Sequence, residues 1–221
     1  MRLSHIPPAA ALAAALFLAA SVALAAWGDV LKATGLSAAG AKAESAVKEV
    51  LTLGKNYAIE TLGKDGGFSD NAYAAIGLPE SFSTLAAASG LTSLLNSAAE
   101  TAVPKLDAAF DQTIQGLDLS DPMPLLTAAK DSTGVTDYFD AESRSALMEM
   151  ARPIVKTSLN DAGLSSYATV LSLLAKTTDF DAVDYTAEQV LDAMFHYMGE
   201  KEKDLRASGA EGASKLLQTF F

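Results

Sequence analysis

The chain has 221 residues, 27 acids against 16 lysines and arginines, a net charge of −11, half its residues apolar and no cysteine. Neutralising nucleic-acid phosphates needs concentrated Lys and Arg, so a DNA or RNA partner is excluded. Without thiols there are no disulfides, thiolate metal sites or cysteine nucleophiles, and stability must come from a packed core.

In chain order, Arg2 precedes Pro7, Pro8 and an apolar run from Ala9 to Ala26 broken only by Ser21. Ala23-Leu24-Ala25 then puts small residues where signal peptidase requires them. The pattern predicts a signal peptide over residues 1–25, a mature domain over 26–221 and a periplasmic location. An uncleaved anchor is the alternative, but a bilayer span wants roughly 20 strongly apolar residues and this run is short and rich in Ala. No stable membrane span is expected in the mature chain. Removing 1–25 takes away one base, Arg2, and no acid, which leaves 15 bases against 27 acids.

Helical spacing recurs through the rest, while strand alternation never runs far. Residues 37–62 read as a helix closed by Gly63, with a turn at Lys64-Asp65-Gly66-Gly67, and short helical pieces are expected over 71–82. From Leu91 the apolar positions Leu95, Ala98, Ala102, Leu106, Phe110, Ile114 and Leu117 step by three or four, with a break expected at Pro104. Asp121-Pro122-Met123-Pro124 opens a short helix through Lys130. A long helix is predicted over 135–161, with Pro153 inside it and Gly163 as its stop. Another covers 164–176, and Thr186-Ala187-Glu188-Gln189 reads as a capping box that starts a helix to about residue 207. A short helix ends the chain at Leu216, Leu217, Phe220 and Phe221. The expected fold is all-α: a single-domain multi-helix bundle of about seven to nine helices, two of them interrupted by proline.

The order of several short motifs is also informative. Asp65-Gly66-Gly67-Phe68, Leu78-Pro79-Glu80, Glu100-Thr101-Ala102-Val103-Pro104, Thr136-Asp137-Tyr138-Phe139, Tyr185-Thr186, Leu191-Asp192-Ala193-Met194-Phe195 and Leu216-Leu217 follow one another along the chain. In this order the chain, from about residue 30 to 221, resembles a family of exported helical proteins of Gram-negative envelopes, a domain of unknown function. It departs from that pattern at Ala193, where the family tends to place Gly, and over 208–213, where it tends to place Arg and Pro. At the position of His196 the family pattern is usually apolar. The resemblance implies a helical periplasmic domain and no particular reaction.

Two groups of residues carry candidate chemistry. Glu188, Asp192, His196 and Glu200 fall at successive i, i+4 positions and share a helix face, and a His flanked by carboxylates could hold a divalent metal through Asp192, His196 and Glu200. The plainer alternative is a solvated acidic stripe, since Leu191, Met194, Phe195 and Met198 form the apolar side of the same helix. The second group lies where the prolines break helices: a cleft lined by Val103, Leu106, Tyr138, Phe139 and Ile154 could take an apolar ligand, with core packing as the plainer alternative. No Gly-x-Ser-x-Gly elbow, phosphate loop, dinucleotide fingerprint or His-Glu-x-x-His is present, no catalytic residue is assigned and no cofactor is expected. The leading expectation is therefore a non-catalytic periplasmic binding protein for an apolar small molecule or an envelope protein. A hydrolase or metal enzyme using the His196 face and a structural or stress-related envelope protein are the alternatives.

Overall fold

The structure is a computed structural model, and it describes residues 36–79, 88–177 and 179–221. The expected signal peptide, and the part of the 71–82 stretch beyond residue 79, lie outside the described residues. The helices are α1 (Leu36–Leu62), α2 (Ala88–Ala102), α3 (Asp107–Gly116), α4 (Met123–Leu126), α5 (Gly134–Asp161), α6 (Ala168–Thr177) and α7 (Ala182–Ala207). Short 3-10 turns cover Val103–Leu106, Leu164–Tyr167 and Leu217–Thr219. Among the described residues there is no strand, and six helices have ten residues or more, so the all-α expectation stands with a helix count slightly lower than foreseen.

The difference in count has local causes. The expected C-terminal helix is one 3-10 turn, and the short helix expected to open at Asp121-Pro122-Met123-Pro124 and run through Lys130 covers only four residues and ends at Leu126. Helix α7 starts earlier than its capping-box pattern suggested: Asp181 is the true cap, its side chain accepting from the backbone N–H of Val183 (2.8 Å) and Asp184 (3.0 Å). Thr186 lies inside that helix, fully buried. The two prolines behave differently. Pro104 sits in the 3-10 segment that separates α2 from α3. Pro153 is carried within α5, where both it and Glu149, the residue whose carbonyl it deprives of a donor, face solvent.

Helix α7 is central, packing along both α1 and α5. At the middle of the core the rings of Phe110 (α3), Phe139 (α5) and Phe195 (α7) meet with centroids 5.8 to 6.2 Å apart, so three helices share one aromatic cluster. Three buried charged side chains, Glu202, Arg206 and Lys55, complete the frame. Glu202 is 0% exposed; its Oε1 accepts from Val135 N (3.0 Å), its Oε2 accepts from Thr136 N and Thr136 Oγ1 (both 2.8 Å), and Arg206 donates to Oε1 at 2.7 and 3.0 Å. The carboxylate thus caps the first turn of α5 from a neighbouring helix. Arg206 also donates to the carbonyls of Leu125 (2.5 Å) and Leu126 (3.0 Å), the end of α4. The third buried charge is Lys55 on α1, which pairs with Asp107 and, at 2.6 Å, with Asp111 on α3.

Removing one member of a buried pair leaves an uncompensated charge, at a cost of roughly 3–5 kcal/mol. Glu202→Ala is expected to lose at least about 3 kcal/mol in urea denaturation; a loss below about 1 kcal/mol would contradict the capping role. For Lys55, burial opposes the charge, but hydrogen bonds and charge attraction from Asp107 and Asp111 outweigh it and hold the pKa above the usual 10.5. A raised folded pKa means a contribution present in full below 10.5 and lost as pH climbs through the folded value. Denaturation curves between about pH 9 and pH 12 should therefore show wild-type stability falling more steeply than that of Lys55→Met, and parallel curves would contradict this.

Candidate functional site

The start of α5 and the C-terminal half of α7 run close together because α7 carries Gly199 at the crossing: a Cβ there would stand 3.0 Å from Thr133 Cγ2. Beside this contact the helices leave a cleft of about 360 Å³. Thr133, Thr136, Asp137, Asp140 and Arg144 line it from the α5 side, and Asp192, Phe195, His196, Gly199, Glu200 and Lys203 from α7. Tyr73, from the loop after α1, completes the wall.

Tyr73 is 57% exposed, the most exposed large apolar side chain among the described residues. It lies over His196 with ring centroids 3.4 Å apart and planes 12° from parallel. The loop is built to hold it there. Asn71 Oδ1 accepts from Tyr73 N (3.0 Å), Ala74 N (3.1 Å) and the Tyr197 hydroxyl (3.0 Å), tying the turn to α7. Further along, buried Asn96 on α2 accepts from Ile76 N and donates to Ile76 O, both at 2.9 Å, much as a neighbouring strand would.

The charges inside the cleft are largely spent on one another. Arg144 donates through Nε and Nη2 to the two oxygens of Asp140 (2.6 and 3.0 Å) and through Nη1 to Asp192 Oδ1 (2.7 Å). Hydrogen bonding to Asp140 is the main cause of a guanidinium pKa raised well above its usual value. Lys203 donates to Glu200 Oε1 at 2.9 Å, a contact that holds the Glu200 carboxyl below the ordinary range and the Lys203 ammonium above it. Asp137 Oδ2 accepts from the Thr133 hydroxyl at 2.8 Å. Four carboxylates thus face two cations, both already engaged, so acceptor oxygens are in surplus.

Asp192, His196 and Glu200, the residues expected to face together, do line one concavity, while Glu188 is exposed and takes no part in it. Among the described residues no group of three His, Cys, Asp or Glu side chains is placed to hold a metal ion. Of the apolar set, Val103, Leu106 and Phe139 are fully buried in the core, Tyr138 and Ile154 pack against it partly exposed, and none of the five lines this cleft. Tyr138 reaches the Asp118 carbonyl at 2.9 Å. Sequence reasoning missed Tyr73, Asp137, Asp140, Arg144 and Lys203; the i, i+4 pair Asp140–Arg144 and the i, i+3 pair Glu200–Lys203 were the available signals.

A ring held face-on shields the protons of its neighbour. In Tyr73→Ala the His196 ring C–H resonances are expected to move downfield toward those of a free imidazole, with the Asn71→Ala variant shifting them the same way. Unmoved resonances would mean that Tyr73 does not cover His196.

No curated protein and no solved structure matches the chain. The profile of a family described as a protein of unknown function, DUF4197, matches residues 37–221, a span that includes every residue of the cleft. The chain is a member of the DUF4197 family.

Proposed function

We propose that this is an exported, non-catalytic binding protein of the bacterial envelope, whose cleft between α5 and α7 receives a small polar ligand bearing an ammonium or guanidinium group. The observation that carries this reading is the charge balance of the cleft: four carboxylates, with Arg144 and Lys203 consumed by internal pairs. A ligand entering it finds open acceptor oxygens and gains by supplying donors and positive charge. The exposed Tyr73 ring gives such a cation, or its apolar stem, a flat surface. Export is supported by the leader pattern over residues 1–25.

One observation favours a second reading, a metal-dependent hydrolase: Asp192, His196 and Glu200 line the same concavity. Against it, Asp192 is held by Arg144 and Glu200 by Lys203, so two of the three ligands would first have to leave a cation.

Isothermal titration with agmatine and spermidine is expected to show saturable binding that weakens with added salt and about tenfold in Asp137→Asn, with succinate inert. Succinate binding as well as the amines, or no binding of either amine, would overturn the proposal. Stoichiometric uptake of zinc with loss on His196→Ala would favour the hydrolase instead.

A further inference from the structure

Arg206, whose pairing with Glu202 caps α5, also walls a separate cavity of about 320 Å³ that shares no lining residue with the polar cleft. Its chemistry is the reverse of the cleft's. Two cationic side chains, Lys130 and Arg206, line it, and no Asp or Glu side chain does, in a chain of net charge −11. Leu126, Ala128, Phe220 and Phe221 supply an apolar remainder.

The cations are not equally occupied. Arg206 is 3% exposed, and its guanidinium has five N–H groups, of which four are used: Nε and Nη2 on Glu202, Nη2 again on Leu125 O, and Nη1 on Leu126 O. The fifth, on Nη1, has no acceptor among the described residues. The Phe221 ring lies over the guanidinium face at 4.7 Å and forms the cavity wall beside it, which leaves the N–H groups at the guanidinium edge. Lys130 is exposed and has no carboxylate partner among the described residues. A buried guanidinium N–H without an acceptor is costly, and an anion supplied from outside would satisfy it.

We propose that this cavity is a second binding site, for an amphipathic anion: an acidic head held by Lys130 and the open N–H of Arg206, and an aliphatic or aromatic body against Leu126, Phe220 and Phe221. The site stands apart from the cleft between α5 and α7 and does not depend on what that cleft binds. Arg206 offers an N–H whose charge Glu202 already balances, so it is Lys130, with no carboxylate partner among the described residues, that favours an anionic occupant over a neutral or cationic one; the apolar walls decide against a bare inorganic anion.

Amide resonances of the intact protein, followed as sodium octanoate or sodium benzoate is added, provide the test. Saturable shifts confined to Thr127, Ala128, Lys130, Phe220 and Phe221 are expected with at least one of the two anions, and about tenfold weaker binding in Lys130→Glu. Lys130 is exposed and makes no internal pair, so this variant should fold, and an otherwise unchanged spectrum verifies that. Octanoate alone would identify an acyl-chain acid and benzoate a compact aromatic acid, and either result supports the site. The proposal is overturned if octan-1-ol shifts the same residues with equal affinity, if Lys130→Glu leaves anion affinity unchanged, or if neither anion gives a saturable shift.

Discussion

The carboxylate of Glu202 is the point on which the arrangement of α4, α5 and α7 depends. A helix that begins inside a protein brings first-turn N–H groups that have no intrahelical acceptor, and α5 begins against α7 with Val135 and Thr136 buried. Glu202 supplies the missing acceptors, and Arg206, one turn further along α7, neutralises it. The guanidinium then turns two more of its N–H groups to the last carbonyls of α4, which are orphaned in the opposite sense. One buried ion pair thus closes the polar ends of two helices. Such a pair need not stabilise a fold more than an apolar substitute would, but it fixes which turn of α5 meets which turn of α7. Because the register is fixed there, Gly199 falls opposite Thr133 and the walls of the polar cleft are set.

A second polar anchor organises the opposite wall. Helix α2 carries Asn96 and Glu100 one turn apart, and both face the loop that follows α1. Glu100 Oε1 accepts from Phe68 N and Ser69 N, each at 3.0 Å, which explains why an Asp-Gly-Gly-Phe turn and a glutamate more than thirty residues later belong together. The turn itself demands glycine: Gly66 has φ +78°, and a Cβ on Gly67 would stand 2.2 Å from the Leu62 carbonyl oxygen. With Glu100 holding the start of the loop and Asn96 its far side, Tyr73 is delivered over His196 between them.

Much of the fold was legible in periodicity and punctuation. The stop of α1 before Gly63, the break at Pro104 and the end of α5 before the left-handed Gly163 follow from local chemistry that a sequence displays directly. The start of α7 was misplaced because two capping signals lie five residues apart, and burial of Thr186 in the core decided in favour of Asp181. The site was legible only along one helix. Asp192, His196 and Glu200 are related by the helical repeat, whereas Arg144 reaches Asp192 across 48 residues and Tyr73 reaches His196 from another loop, contacts that no spacing encodes. The i, i+4 spacing of Glu202 and Arg206 is one that exposed helix pairs share, so it carries no sign of burial; their burial comes from packing against α4 and α5.

Amide hydrogen exchange at Val135 and Thr136 tests the central role of Glu202 most directly. First-turn helix amides, having no intrahelical acceptor, ordinarily exchange fast. Bonded to a buried carboxylate, these two should instead exchange as slowly as the core amides of α7, opening only with the whole domain. Exchange at the rate of an open helix end would contradict the account, since the carboxylate would then not be closing α5.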